Sequence, residues 1–275
     1  MAIQFRDLTT LDEFYQVVEL EKQIWGPGYD DVVPASILAV SVLRGGVLIG
    51  AFDVPERPPE DAAPVSGRLV GFVYSIPGLK RGKPMQWSHM LGVIDEFRND
   101  GLGHRLKMLQ RERTVAMGLD LIEWTYDPMQ ALNAHLNFSK LGVIVEEYEV
   151  NVYGESKSPL HGGNPTDRFV AEWWIHDGTP HAPAPASTDA TRVNAIDRSS
   201  QWPRCVNIQL DVDSRAVGVD IPTGFGDMLK DAPDVALEWR LATRRIFTGY
   251  FARGFKAVDF RLDRGLGQGT YLLVS

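Results

Sequence analysis

The chain has 275 residues, 44% of them hydrophobic, with 36 acidic against 28 basic side chains and a formal net charge of −8. That length buries a large core in one or two domains, and the acidic balance argues against nucleic acid as a partner. No apolar run approaches the roughly 18 residues that span a bilayer, so no membrane partner is expected. The single cysteine, Cys205, excludes an intramolecular disulfide and provides no cysteine cluster for a metal. The opening residues Met1-Ala2-Ile3-Gln4-Phe5-Arg6-Asp7 lack a basic stretch followed by an apolar one, so the expected setting is cytoplasmic.

Along the chain, Thr10-Leu11-Asp12-Glu13 is a capping box that opens a helix over residues 11–24. Residues 34–43 give a second short helix. Residues 47–54 and 68–76 read as antiparallel strands separated by a polar, Pro-rich loop at 55–67. The apolar run 87–93 reads as a buried strand and feeds Ile94-Asp95-Glu96-Phe97-Arg98-Asn99-Asp100-Gly101-Leu102-Gly103. A helix follows from His104. A strand delivering a glycine-bearing turn to a helix N-terminus is a device for holding phosphate. Free N–H groups converge there, the helix dipole adds positive charge, and glycine lets the backbone approach a ligand.

Residues 98–113 carry Arg98, Arg105, Lys107, Arg111 and Arg113 against Asp100 and Glu112, five positive charges to two negative. Such a reversal of sign suits a ligand with several phosphates, and equally a solvated helix face. Ala116-Met117-Gly118 then caps the helix and residues 119–126 form a second strand, giving a strand–helix–strand unit with parallel strands. Asp127-Pro128 breaks it, residues 129–141 read as a helix closed by Gly142, and 143–153 as a strand pair.

The order Val93-x-x-x-x-Arg98-x-x-Gly101-x-Gly103 resembles the acyl-CoA motif of the GNAT superfamily of N-acyltransferases. Phe138-Ser139-Lys140-Leu141-Gly142-Val143, with Ala134 before it, is similar to that family's Tyr-x-x-x-Gly-Phe signature. The resemblance covers roughly residues 3–155. It implies the α/β GNAT acyl-CoA N-acyltransferase fold with a mixed sheet, acetyl-CoA or another acyl-CoA as co-substrate, and no metal. It places the pyrophosphate on backbone groups across Arg98, Asn99, Asp100, Gly101, Leu102, Gly103 and His104, and the pantetheine along the main chain at Leu91 and Val93. Asn133 and Asn137, four apart on one helix face, hydrogen-bond the pantetheine or acyl group, or merely decorate the helix.

The family's usual acid is a tyrosine where this chain has Phe138. Tyr126, His135 or a water takes its place, and a thiolate with a pKa near 8.5 leaves tolerably without an acid. His89, with the same strand parity as Leu91 and Val93, is the candidate base, or else a hydrogen-bonded core histidine. Glu123 is the second candidate, or a solvated strand residue.

The expected domains are 1–155, the acyl-CoA-binding catalytic part; 156–200, a strand plus Pro-rich linker; and 201–275, an α/β half-domain. Within them, 155–168 is loop-like around His161-Gly162-Gly163-Asn164-Pro165, 169–175 a strand, and 177–200 an exposed linker. Strands at 205–211 and 216–221, a helix at 233–253 capped by Gly254, and strands at 256–262 and 270–274 follow. Ala116-Met117-Gly118-Leu119-Asp120-Leu121-Ile122-Glu123-Trp124 parallels Ala252-Arg253-Gly254-Phe255-Lys256-Ala257-Val258-Asp259-Phe260. The C-terminal extension therefore reads as half of a second GNAT-like unit, or as a chance likeness of helix–glycine–strand junctions. It lacks the phosphate motif, and Gly265-Leu266-Gly267-Gln268-Gly269 reads as a hairpin turn.

The resemblance implies direct attack of an amine on the thioester. The acceptor is a small-molecule amine; an arginine among Arg168, Arg240, Arg244 and Arg245 presented to a carboxylate would suit an amino-acid acceptor or a dicarboxylic acyl group such as succinyl. Trp25, Tyr29, Trp173 and Trp174 serve as pocket walls or as core. A homodimer is left open. The alternative is a non-catalytic acyl-CoA-binding or scaffolding protein, with Phe138 as the mark of lost chemistry.

Overall fold

The computed structural model describes residues 2–26, 29, 31–55, 67–98, 100–154, 163–175 and 190–275. Asn99, the loop at 56–66, residues 155–162 with His161 and Gly162, and the linker through 189 lie outside the described residues. The chain divides into two compact units, Met1–Glu123 with Trp174–Asp177 and Trp124–Trp173 with Gly178–Ser275. The cuts fall inside the strands Leu121–Tyr126 and Arg168–Trp174.

Unit 1 contains β1 (Ala2–Asp7), α1 (Leu11–Trp25), α2 (Ala35–Leu43), β2 (Val47–Val54), β3 (Arg68–Lys80) and β4 (Lys83–Val93). A 3₁₀ turn at Asp95–Phe97, then α3 (Leu102–Ala116) and β5 (Leu121–Tyr126), complete the strand–helix–strand unit. Strands run in the order β1-β2-β3-β4-β5, antiparallel except for the parallel β4–β5 pair. Thr10 and Glu13 form the expected capping box at the start of α1. Between β3 and β4, Arg81 and Gly82 both have positive φ (50° and 79°), the backbone a tight two-residue hairpin needs, so both strands run beyond their predicted ends. The core packs Phe14, Val17 and Leu20 of α1 and Leu38 of α2, with Phe72, Leu102 and Leu106, around the buried strands.

Unit 2 contains α4 (Ala131–His135), a π-helical segment at Leu136–Leu141, β6 (Ile144–Glu149), β7 (Arg168–Trp174), β8 (Thr191–Arg192), β9 (Ala195–Asp197) and β10 (Arg204–Val206). There follow β11 (Ala216–Pro222), α5 (Phe225–Asp231), α6 (Pro233–Ala252), β12 (Lys256–Asp263) and β13 (Gln268–Val274). Its sheet runs β7-β6-β12-β13-β11-β8, with β9 and β10 as a separate ribbon. From β1 to β6 the elements follow the order read from the sequence, and unit 2 has a mixed sheet of its own.

Three local expectations change. Residues 191–197, read as linker, form β8 and β9. The strand expected at 205–211 is cut to β10, because Asn207 turns into the left-handed region at φ 55°. Residues 143–153 are not a hairpin, since Asn151 (φ 52°) turns the chain away and β6 pairs instead with β7.

The two echoing junctions share one helix stop. Gly118 (φ 74°) and Gly254 (φ 86°) are left-handed, and Leu119 N–H donates to Thr114 O as Phe255 N–H does to Tyr250 O. Their sheets differ: β4 and β5 are neighbours, whereas β13 lies between β11 and β12.

Phe169, Phe247, Phe260 and Tyr271 pack edge to face, with centroids 4.6–5.4 Å apart in the pairs Phe169–Phe247, Phe260–Tyr271, Phe247–Tyr271 and Phe169–Tyr271. Next to them, Arg240 donates twice to Asp127 (2.5 and 2.7 Å) and Arg244 twice to Asp167 (both 2.8 Å). Burial opposes charge on both Asp127 and Arg240. Their mutual attraction wins, holding the Asp127 carboxyl below its ordinary pKa and the Arg240 guanidinium above its own. Removing one partner strands the other charge in the core. Arg240→Ala should therefore cost about 3–5 kcal/mol of stability in denaturant unfolding. Exposed Arg245→Ala should change it by less than about 0.5 kcal/mol.

Candidate functional site

The start of α3 is built without a side-chain cap. Its N-cap is Gly101, left-handed at φ 78°, and the first helical bond is Arg105 N–H to Gly101 O at 3.0 Å. The N–H groups of Leu102, Gly103 and His104 are therefore the helix's orphan donors, pointing out of its positive end. Leu102 is buried and pins the turn to the core, while Asp100 and Gly101 are exposed. A Cβ at Gly101 would meet nothing within 4 Å, and one at Gly103 only Leu91 Cδ2 at 3.7 Å. The backbone at both glycines is uncrowded on the side a Cβ would occupy.

The cations predicted around this turn disperse. Arg98 donates Nε–H to Val93 O (3.3 Å) and pairs with Asp95 (2.9 Å) at the mouth of the turn. Arg105 lies over the Phe5 ring, Arg111 donates to Ile175 O, and Arg113 pairs with Asp7. Lys107 is buried, donating to Ser88 Oγ (3.0 Å) and Gln110 Oε1 (2.8 Å), and desolvation drives its pKa far down. One turn of helix per 3.6 residues spreads these charges around α3.

The strand leading to the turn carries a β-bulge. Register against β3 steps from Tyr74↔Met90 to Ser75↔Ser88, so His89 is an extra residue. The parallel ladder to β5 joins Gln86 with Ile122 and Trp87 with Glu123, just before the bulge. The bulge also overturns the parity argument. Leu91 reaches α3 at Gly103, as Ser88 reaches Lys107, whereas the His89 ring packs edge-on against Tyr74, 5.9 Å away. Tyr74 belongs with α1 and α2: burial first, then the charge of Glu21, raises its pKa, offset in part by Ser41. His89 remains exposed, and surrounding protein lowers its pKa by desolvation, so the ring is neutral and basic near pH 7.

Other candidates are placed less favourably for proton transfer. Glu123 is buried and ion-paired with Lys80. The Tyr126 phenol is buried, 3.5 Å from the Tyr271 hydroxyl, with its pKa pushed far up by burial. Phe138 is buried edge-on against Tyr271. Asn137 is buried and Asn133 exposed, so they do not share a face. The helix widens into π geometry between them, and a count of four no longer returns to the same side. Trp25, stacked on Tyr29 and edge-on to Phe72, packs against the core, and Trp173 meets Trp124 edge-on.

Sequence reading passed over Glu21. It occupies the apolar stripe of α1 with Phe14, Val17 and Ile24, which was the available signal. It is fully buried. Its Oε2 accepts Val33 N–H at 2.8 Å, its Oε1 has no partner, and burial raises its pKa to about 7. Among the described residues no group of three or more His, Cys, Asp or Glu side chains could hold a metal ion, and no helix is long and apolar enough to cross a membrane.

No family model and no curated protein matches the chain. Solved structures similar to it include the NatC complex bound to Gag peptide and CoA, at 13% identity and TM-score 0.49, covering 64% of this chain and 100% of that one. Arabidopsis thaliana NAA60 in complex with a bisubstrate analogue has 14% identity and TM-score 0.49 over the same shares. The acetyltransferase of GNAT family from Streptococcus pneumoniae has 13% identity and TM-score 0.48, covering 63% of this chain and 100% of that one. What those proteins bind or modify is a property of those proteins.

Glu21 makes stability depend on pH. A carboxyl whose folded pKa is about 7 favours folding while protonated, and that contribution is lost as pH rises from about 4.5 to 7. Glu21→Gln should keep the bond from Val33 N–H and flatten this slope. Its unfolding free energy at pH 8 should exceed that of the native chain by on the order of 2 kcal/mol. Chemical denaturation at pH 5 and pH 8 measures both.

Proposed function

We propose that the chain is an acyl-CoA-dependent N-acyltransferase, moving an acetyl or other short acyl group to the amine of a small molecule, amino acids included. The observation that carries this is the glycine-led start of α3 after β4, which has no side-chain cap on its N–H groups and no neighbour crowding a Cβ at Gly101. The residues fit an acyl-CoA: the N–H groups of Leu102, Gly103 and His104 would hold its pyrophosphate, with Arg98 adding charge, and the main chain at Leu91 and Val93 would align its arm. The thioester supplies the activated carbonyl.

The chain's own part in the chemistry is binding, alignment and proton handling. As the amine nitrogen bonds to the carbonyl carbon and the C–S bond breaks, neutral His89 accepts the ammonium proton. The departing thiolate is stable enough to leave and take its proton from water. A second reading, a binding protein without turnover, is favoured by one feature: Phe138 and the sealed Tyr126 provide no exposed phenol to protonate the thiolate.

Thiol release from acetyl-CoA and succinyl-CoA against a panel of amines and L- and D-amino acids tests the proposal. Acceptor-dependent release is the expected result, whereas CoA binding without release would establish the second reading. Gly103→Val should leave stability within about 1 kcal/mol, because its Cβ meets only Leu91, yet weaken CoA binding about tenfold or more. His89→Ala should lower kcat about 10²-fold with little change in KM for CoA. In the native chain kcat/KM should fall with decreasing pH through a value below the ordinary imidazole pKa, and that limb should disappear in the variant.

A further inference from the structure

Unit 2 has a cleft of about 600 Å³ beside the β12–β13 turn, lined by residues that include Arg192, Arg261, Arg264, His135, Asp263 and Gln268. Three guanidinium groups line it, in a chain of net charge −8. Arg198 closes the rim, donating to Leu266 O (2.9 Å) and Gln268 Oε1 (3.2 Å). Arg192 pairs with Asp220 at 2.7 Å and lies across Gly218, where a Cβ would come within 2.9 Å of its terminal nitrogen. That glycine leaves room for the arginine on β11. Arg261 stands 3.9 Å from Asp259, at the limit of an ion pair, and is more than half exposed. The Asp263 carboxylate is occupied by Leu266 N–H at 2.9 Å.

His135 forms one wall. Its Nδ1 is buried with no hydrogen-bond partner, and burial, Lys140 and Arg264 together lower its pKa. Asp220 pairs with Arg192 and Asp259 stands at the limit of an ion pair with Arg261, so an entering anion would meet chiefly the guanidinium groups of Arg261 and Arg264. Guanidinium forks match phosphate and carboxylate oxygens in pairs. Among the described residues the lining has no Phe, Tyr or Trp to stack a nucleobase.

We propose that this cleft is an anion-binding site for a small non-nucleotide dianion, a phosphate monoester or a dicarboxylate, gripped by Arg261 and Arg264 with Arg192 and Arg198 at its sides. The site does not depend on acyl transfer, and neither does its test.

Inorganic phosphate and succinate are titrated calorimetrically into the full chain, into R261Q/R264Q and into Gly103→Val, the last removing phosphate affinity at the α3 turn. The expected result is saturable binding that persists in Gly103→Val and weakens about tenfold or more in R261Q/R264Q. R261K/R264K, which keeps charge without the fork, should fall between. Both altered arginines are near the surface, so these variants should fold, and circular dichroism checks that. Saturation by phosphate alone assigns the monoester class, and by succinate alone the dicarboxylate. A bound anion should also raise the His135 pKa in an NMR titration. No saturable binding to the native chain, or binding unchanged in R261Q/R264Q, overturns the proposal. So does binding lost in Gly103→Val alone, which would place the anion at the α3 turn.

Discussion

One extra residue in β4 organises unit 1. The insertion of His89 into the β3–β4 ladder turns the strand so that Leu91 faces α3 while His89 faces Tyr74. It follows directly on the last rung shared with β5, so the strand continues toward the α3 turn held by β3 on one side. The chain then has to reverse into a helix within a few residues of the strand end. A 3₁₀ turn and a left-handed residue accomplish this, and the left-handed position costs glycine far less than any other residue. The exposed donors at the start of α3 follow from this path, since a glycine N-cap has no side-chain oxygen to satisfy them.

Features that depend on residue identity were legible in the sequence. The capping box of α1, the glycine stops after α3 and α6, the Gly265–Gly269 hairpin and the turn at Gly101 each require particular residues for steric or hydrogen-bonding reasons. What depends on register was hidden. A bulge leaves no mark in the order of apolar residues, so the parity count from Leu91 to His89 failed across it. The π-helical turn had the same effect on Asn133 and Asn137. Strands as short as β8 and β9 are too brief for any periodicity to show. The cations of α3 could be counted, but not assigned to separate partners.

Buried polarity is treated in two ways. Between β3, β4 and α3, Ser75 donates to Gln86 Oε1, Gln86 donates to Gly45 O, and Gln110 and Lys107 both donate to Ser88 Oγ. Such a satisfied network stiffens the sheet beneath the α3 helix and fixes its register. On the opposite face, Glu21 and Tyr74 keep oxygen atoms buried without partners, the arrangement that costs stability and leaves groups able to exchange protons. The structural network and the unsatisfied pair flank the same bulge.

The paired aspartates of unit 2 bear on how the chain can be cut. Asp127 immediately follows β5 and Asp167 immediately precedes β7, while Arg240 and Arg244 that neutralise them lie one helical turn apart on α6. A shortened chain ending near residue 155 or 200 would leave Asp127 in an apolar setting with its bidentate partner gone. The C-terminal helix is therefore the counter-charge of the residues before it. Along a lineage these positions would be expected to change in pairs, an aspartate lost together with its arginine, and a shorter piece ending before α6 could be excised only with Asp127 itself redesigned.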